Sequence, residues 1–175
     1  MIVIASPLLD AAKTVLIHAA PGMPPEYWWM TACILSILAL ASTIDAFTGI
    51  VPDSLIFLGM LAVTGTQGMI ASWPVAGTHL RHAVEAGLLV WLTNFLWYAK
   101  FHHDALGMGD AKWTMLAVAC FGPVPGIFAW GVGSVLAVIF IGASRLVRFQ
   151  VTQLTFAPFL FIGLTIGLYW VRFSI

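Results

Sequence analysis

The sequence predicts an all-α fold, a polytopic membrane helix bundle with about six transmembrane helices. Hydrophobic residues fill 61% of the 175 positions and charged residues 8%, and the mean hydropathy is +1.01, far outside the range of water-soluble domains. The apolar residues are gathered into runs, most of them near the roughly 17–25 residues a helix needs to cross a bilayer core. Within each run the apolarity is continuous rather than alternating. That pattern excludes barrel strands, and lipid leaves only helices and closed barrels able to satisfy their backbone groups.

Residues 1–26 hold apolar clusters broken by Asp10, Lys13, His18 and a turn region from Pro21 to Pro25. No basic stretch precedes them as a secretory signal requires, so they read as an interfacial segment ahead of a transmembrane domain over 27–175. The first span runs from Tyr27 to about Ile44 and opens on Trp28 and Trp29, an aromatic anchor at the membrane interface. Further spans are expected over 54–71, 83–99, 111–122, 126–143 and 157–171, the fourth being short for a bilayer. Asp53 follows Pro52 and precedes an apolar run, as a helix start does. Gly131, Gly133 and Ser134, with Gly163 and Gly167, are small residues that allow helices to approach closely.

Lys and Arg together number 7, as do Asp and Glu, for a formal net charge of zero. No basic field exists to hold nucleic acid, which is excluded as a partner. Cys33 and Cys120 lie inside apolar runs, where a thiol behaves as a small hydrophobe, and no Cys-x-x-Cys occurs. His102 and His103 are adjacent in a loop, without the spaced third ligand that zinc sites use. No metal and no cofactor are expected, and the partner that composition demands is the lipid bilayer.

In so apolar a chain a carboxylate beside the hydrocarbon is paired, hydrated or used. Two stand out: Asp45 at the end of the first run, and Asp110 within Gly107-Met108-Gly109-Asp110-Ala111-Lys112. Six spans put the loops at 45–53, 100–110 and 144–156 on one face, so the aspartates share it. The loop at 72–82 and a turn at 123–125 lie on the other. Lys100, Lys112, Arg145 and Arg148 fall on the aspartate side, against Lys13, Arg81 and Arg172 opposite, which leans that side towards the cytoplasm. Two carboxylates held together share a proton; one can act as general base on water while the other donates to a scissile carbonyl. Gly107 and Gly109, lacking a Cβ, let a substrate backbone approach. Taken alone, Asp110 is also a good helix N-cap, and Lys112 suits either a snorkelling interface residue or a substrate contact. Trp91, Trp97, Trp113, Trp130 and Trp170 read as belt and packing residues.

Three segments in order resemble the signatures of the prepilin (type IV leader) peptidases. Asp45 is followed at the family's spacing by Pro52, Asp53 and Leu55; Gly107 to Lys112 resembles Gly-x-Gly-Asp-x-Lys; and Thr155-Phe156-Ala157-Pro158-Phe159 resembles the late aromatic-small-Pro segment. The resemblance implies a membrane aspartic endopeptidase with Asp45 and Asp110 as its catalytic pair. Its expected substrates are pilin-like precursors (prepilins), whose leader it removes at the cytoplasmic face of the cell (inner) membrane. Phe47 and Gly49 stand where family members often carry basic residues, so no account of leader binding carries over there. The cytoplasmic insert with paired Cys-x-x-Cys motifs, linked in long members to methylation of the new N-terminus, does not occur. The chain therefore resembles the short, peptidase-only form associated with tight-adherence pili.

Other readings differ in specific residues. An archaeal-type preflagellin peptidase carries similar motifs. The presenilin group also uses an Asp followed by Gly-x-Gly-Asp, but places a Tyr before its first aspartate, where Ile44 stands here. A small proton- or cation-coupled transporter predicts acids near mid-span, whereas Asp45 and Asp110 lie at span ends and only Glu85 comes near a span interior.

Overall fold

A computed structural model describes residues 28–102, 107–146 and 155–173. Among the described residues there are six helices and no strand: α1 Trp28–Thr48, α2 Asp53–Ile70, α3 Trp73–Phe101, α4 Met108–Phe121, α5 Pro123–Leu146 and α6 Ala157–Phe173. The expected interfacial segment 1–26, His103, and the part of the 144–156 loop that holds Arg148 lie outside the described residues. Three helices are long and apolar enough to cross a membrane, over Trp29–Thr48, Asp53–Ile70 and Pro123–Ser144, and α6 contributes a shorter apolar stretch, Ala157–Trp170. The protein is a helical membrane bundle.

The helix expected to be short is the centre of the bundle. With 14 residues, α4 rises only about 21 Å, less than the roughly 30 Å of a bilayer core. It nevertheless packs against each of the other five helices, and most of its residues from Asp110 onwards are buried. Protein surrounds it, so the length that lipid imposes on a spanning helix does not apply to it. Trp113 and Leu116 are fully enclosed and join Ile34, Leu38, Val63, Leu160 and Leu164 in one core.

Several helix boundaries differ from the sequence expectation, α4 itself beginning at Met108 rather than at 111. The first helix continues past Ile44 to Thr48, because Asp45 keeps its backbone hydrogen bonding even though it breaks the apolar run. The third begins at Trp73, so the expected 72–82 loop reduces to Ala71 and Ser72. Ser72 caps it by accepting a bond from the Val75 N–H at 3.4 Å, and the polar residues that end the apolar run stay helical, Arg81 pairing with Glu85 at 3.1 Å. The expected turn at 123–125 is instead the first turn of α5. The chain reverses at Gly122, whose φ of 83° favours glycine.

The small residues of α5 and α6 sort into two groups. A Cβ on Gly163 would lie 2.5 Å from the Ala129 carbonyl oxygen, and one on Gly133 would lie 3.0 Å from that of Phe159. Here the two backbones touch. A Cβ on Gly131 would meet nothing within 4 Å, and this glycine takes no part in the seam.

Candidate active site

Four helix ends meet at one end of the bundle. Asp45 sits in the last turn of α1, which stops because Gly49 turns left-handed at φ 68° and returns its N–H to the Asp45 carbonyl oxygen at 2.7 Å. This gives Gly49 a local role that a basic residue in the same place would fill poorly. Val51 then turns inward, 3% exposed, and Pro52 leads into α2 with extended backbone at φ −66°. That inward turn brings Val51 onto the start of α4. A Cβ on Gly109 would stand 2.7 Å from Val51 Cγ2, so the glycine is what lets the loop after Asp45 lie against the helix that carries Asp110.

Asp110 is not the N-cap of α4. Gly107 holds that position, and Asp110 is the third helical residue. Its Oδ2 accepts the Gly107 N–H at 3.1 Å, while its own N–H donates to the Gly107 carbonyl at 3.0 Å. This is the returning half of a capping box. The turn is held further along by Thr114, whose hydroxyl donates to the Asp110 carbonyl at 2.7 Å and accepts the Trp130 indole N–H at 3.0 Å.

Asp45 has its own helix start beside it. The Ala157 N–H, in the first turn of α6, faces its carboxylate. First-turn N–H groups have no partner within their helix, so this one is open to the carboxylate. Pro158 follows, half-buried, in the first turn where a missing N–H is tolerated. Each acid therefore lies against a backbone N–H at the beginning of a helix, Asp110 bonded to that of Gly107 and Asp45 facing that of Ala157.

Both carboxylates are removed from solvent, Asp45 at 6% and Asp110 at 5% exposure, and they interact electrostatically with each other. Two buried acids that feel each other's charge can share a proton, the chemistry that a base and an acid acting together require. Lys112 points elsewhere, pairing with Asp53 at the start of α2. Asp53 is the first residue of α2, as the sequence leads one to expect, but makes no capping bond, since Pro52 occupies the cap position; its side chain forms this ion pair instead. No group of three or more His, Cys, Asp and Glu that could hold a metal occurs among the described residues. His102 ends α3 in the left-handed conformation, φ 58°.

Of the residues expected at the site, Asp45, Pro52, Gly107, Gly109, Asp110 and Lys112 come together at this end, with Pro158 one residue beyond Ala157. The motifs give no sign of Ser42, and they assign no role to Val51 or Ala157 although both lie within the motif segments. The tryptophans expected to serve as belt and packing residues divide accordingly, Trp113 being 1% exposed and Trp170 60% exposed. The available signal was a polar or aromatic residue one helical turn from each aspartate on the side facing the core.

Fold and site together define a helical membrane protein that carries two buried acids from different helices at one end of its bundle, an arrangement able to perform acid–base chemistry without another group. The chain belongs to the type IV leader peptidase family, whose model matches residues 32–147, and it is accordingly a peptidase. The match contains both aspartates and ends before the Thr155–Phe159 segment. Nothing among curated proteins or solved structures matches the chain.

Proposed function

We propose that the protein is an aspartic endopeptidase of the cell (inner) membrane that removes the leader from pilin-like precursors, with Asp45 and Asp110 as the catalytic pair. The observation that carries this reading is the convergence of those two carboxylates, buried and within electrostatic reach of each other, on segments matching the family's motifs. One acid in ionised form takes a proton from water as that water attacks the scissile carbonyl; the other donates to the carbonyl oxygen. The attacked bond lies at the bundle end because both acids do, beside the connection at 49–52 and the start of α4. Lys100 closes α3 near the connection leading to α4 and Lys112 lies in α4 beyond it, which supports a cytoplasmic orientation for this end.

The test is co-expression with candidate pilin-like precursors, reading leader removal by mass of the product. Removal that disappears with either Asp→Asn variant is the expected result. An unchanged precursor mass with every pilin-like candidate, together with processing of a preflagellin, would move the protein to the archaeal-type reading.

A further inference from the structure

Directly inside the two aspartates, one turn towards the core, lies a hydrogen-bonded layer that composition and motifs did not announce. The Trp113 indole N–H donates to Ser42 Oγ at 3.0 Å and lies 3.4 Å from the Leu38 carbonyl. Ser42 Oγ in turn offers its single proton to the Leu38 carbonyl at 2.8 Å and to the Ala157 carbonyl at 3.2 Å. Ser42 and Trp113 are 4% and 1% exposed, and Ala157 is fully buried. The layer links three helices: α1 through Ser42, α4 through Trp113 and α6 through Ala157.

Its place relative to the acids gives it consequence. Ser42 precedes Asp45 by three positions on α1, and Trp113 follows Asp110 by three on α4, so each lies one turn from its aspartate on the same side of its helix. Ala157 touches both sides of this arrangement, its carbonyl receiving Ser42 and its N–H facing the Asp45 carboxylate. The helices that carry both acids, and the start of α6 beside Asp45, are thus linked through a single serine hydroxyl.

We propose that Ser42 and Trp113 are positioning residues that fix the separation and orientation of Asp45 and Asp110. The alternative of plain packing is unfavoured by chemistry. A buried serine and a buried indole N–H each carry a desolvation cost that an apolar pair of similar shape would avoid. Placement matters to a proton-sharing pair far more than to a core, because a displacement near 1 Å of reacting groups costs on the order of 100-fold in rate.

The inference rests on the reading of Asp45 and Asp110 as the catalytic pair, and the experiment separates the two. Ser42→Ala, Trp113→Phe, the double variant and Asp110→Asn are purified in detergent and assayed on a processed precursor for kcat, KM, the pH dependence of kcat and thermal midpoint. Ser42→Ala leaves the indole N–H its Leu38 carbonyl, so this variant keeps its fold and carries the test should Trp113→Phe not fold. The expected result is a kcat lower by about ten- to a hundred-fold with KM within twofold. The pH limbs of kcat should shift, and the double variant should be no worse than the poorer single one, as for residues acting through one linkage. Wild-type kcat and pH limbs in Ser42→Ala, or losses that add and follow the thermal midpoint alone, would overturn the positioning role while leaving the pair intact. Activity retained by Asp110→Asn would overturn the pair itself.

Discussion

Lys112 Nζ and Asp53 Oδ1 lie 2.5 Å apart, an ion pair bridging 59 positions of the chain. It joins the start of α4 to the start of α2, so two motif segments that flank the aspartates are tied at their outer edge. The Asp53 side chain is 77% exposed and that of Lys112 34%. Pairs this accessible contribute about 0.2–1 kcal/mol.

From that exposure, Asp53→Asn is expected to be nearly silent, with cleavage within about twofold of wild type, since the amide oxygen still accepts from Lys112 and an exposed pair contributes little. Initial rates of leader removal measure this. A loss beyond tenfold at unchanged stability would give the pair a part in the chemistry and rule out a purely structural tie.

Asp45→Asn and Asp110→Asn are each expected to abolish cleavage, because a pair that shares a proton loses its mechanism with either member. Both variants should remain inserted and folded: an amide is neutral, and at position 110 its oxygen can still accept the Gly107 N–H. Product mass and detergent thermal midpoint are read together. Substantial cleavage by either variant would remove that aspartate from the catalytic role.

The two motif glycines should respond differently. A methyl at Gly109 meets Val51 Cγ2 at 2.7 Å, whereas one at Gly107 finds the nearest atom, Asp110 Oδ2, at an ordinary 3.5 Å. Gly109→Ala is expected to destabilise the site by about 1–3 kcal/mol through overpacking and to depress cleavage, with partial recovery in the Gly109→Ala/Val51→Ala double variant. Gly107→Ala should cost about 1 kcal/mol or less, the usual penalty of alanine at a cap position. Equal losses at both positions, without rescue by Val51→Ala, would show that close approach of these segments is not what the motif requires.

Along the α5–α6 seam, Gly163→Ala drives a methyl into the Ala129 carbonyl. Backbone cannot rotate away as a side chain can, so the helices must separate, and the thermal midpoint in detergent should fall clearly. Gly131→Ala, with open space around it, should leave the midpoint unchanged or raise it through the roughly 0.5–1 kcal/mol by which alanine exceeds glycine in a helix. A shift of equal size and sign in both would argue against backbone contact at Gly163.

Legibility in the sequence followed the kind of signal. Asp110 could be singled out because a charge beside long apolar runs is conspicuous, and Asp45 because Pro52 and Leu55 follow it at a recognisable interval. The start of α3 could not be read from hydropathy, since Arg81, Glu85 and neighbouring polar residues end the apolar run without ending the helix. Glu85 accordingly lies near the middle of α3, deeper than the sequence put it, though exposed and paired with Arg81. Trp113 looked like any membrane tryptophan; its burial depends on α4 being enclosed on every side.

What the sequence determined by itself is local or compositional: a helical membrane protein, because its runs are long and continuously apolar, and two acidic motifs, because residue identity and spacing lie along the chain. Only the tertiary structure decided that the shortest helix is the central one, that Val51 rests on Gly109, that Lys112 pairs with Asp53, and that Ser42 connects the turns below both aspartates. Those contacts join residues tens of positions apart, and which of them form depends on how all six helices fill space together.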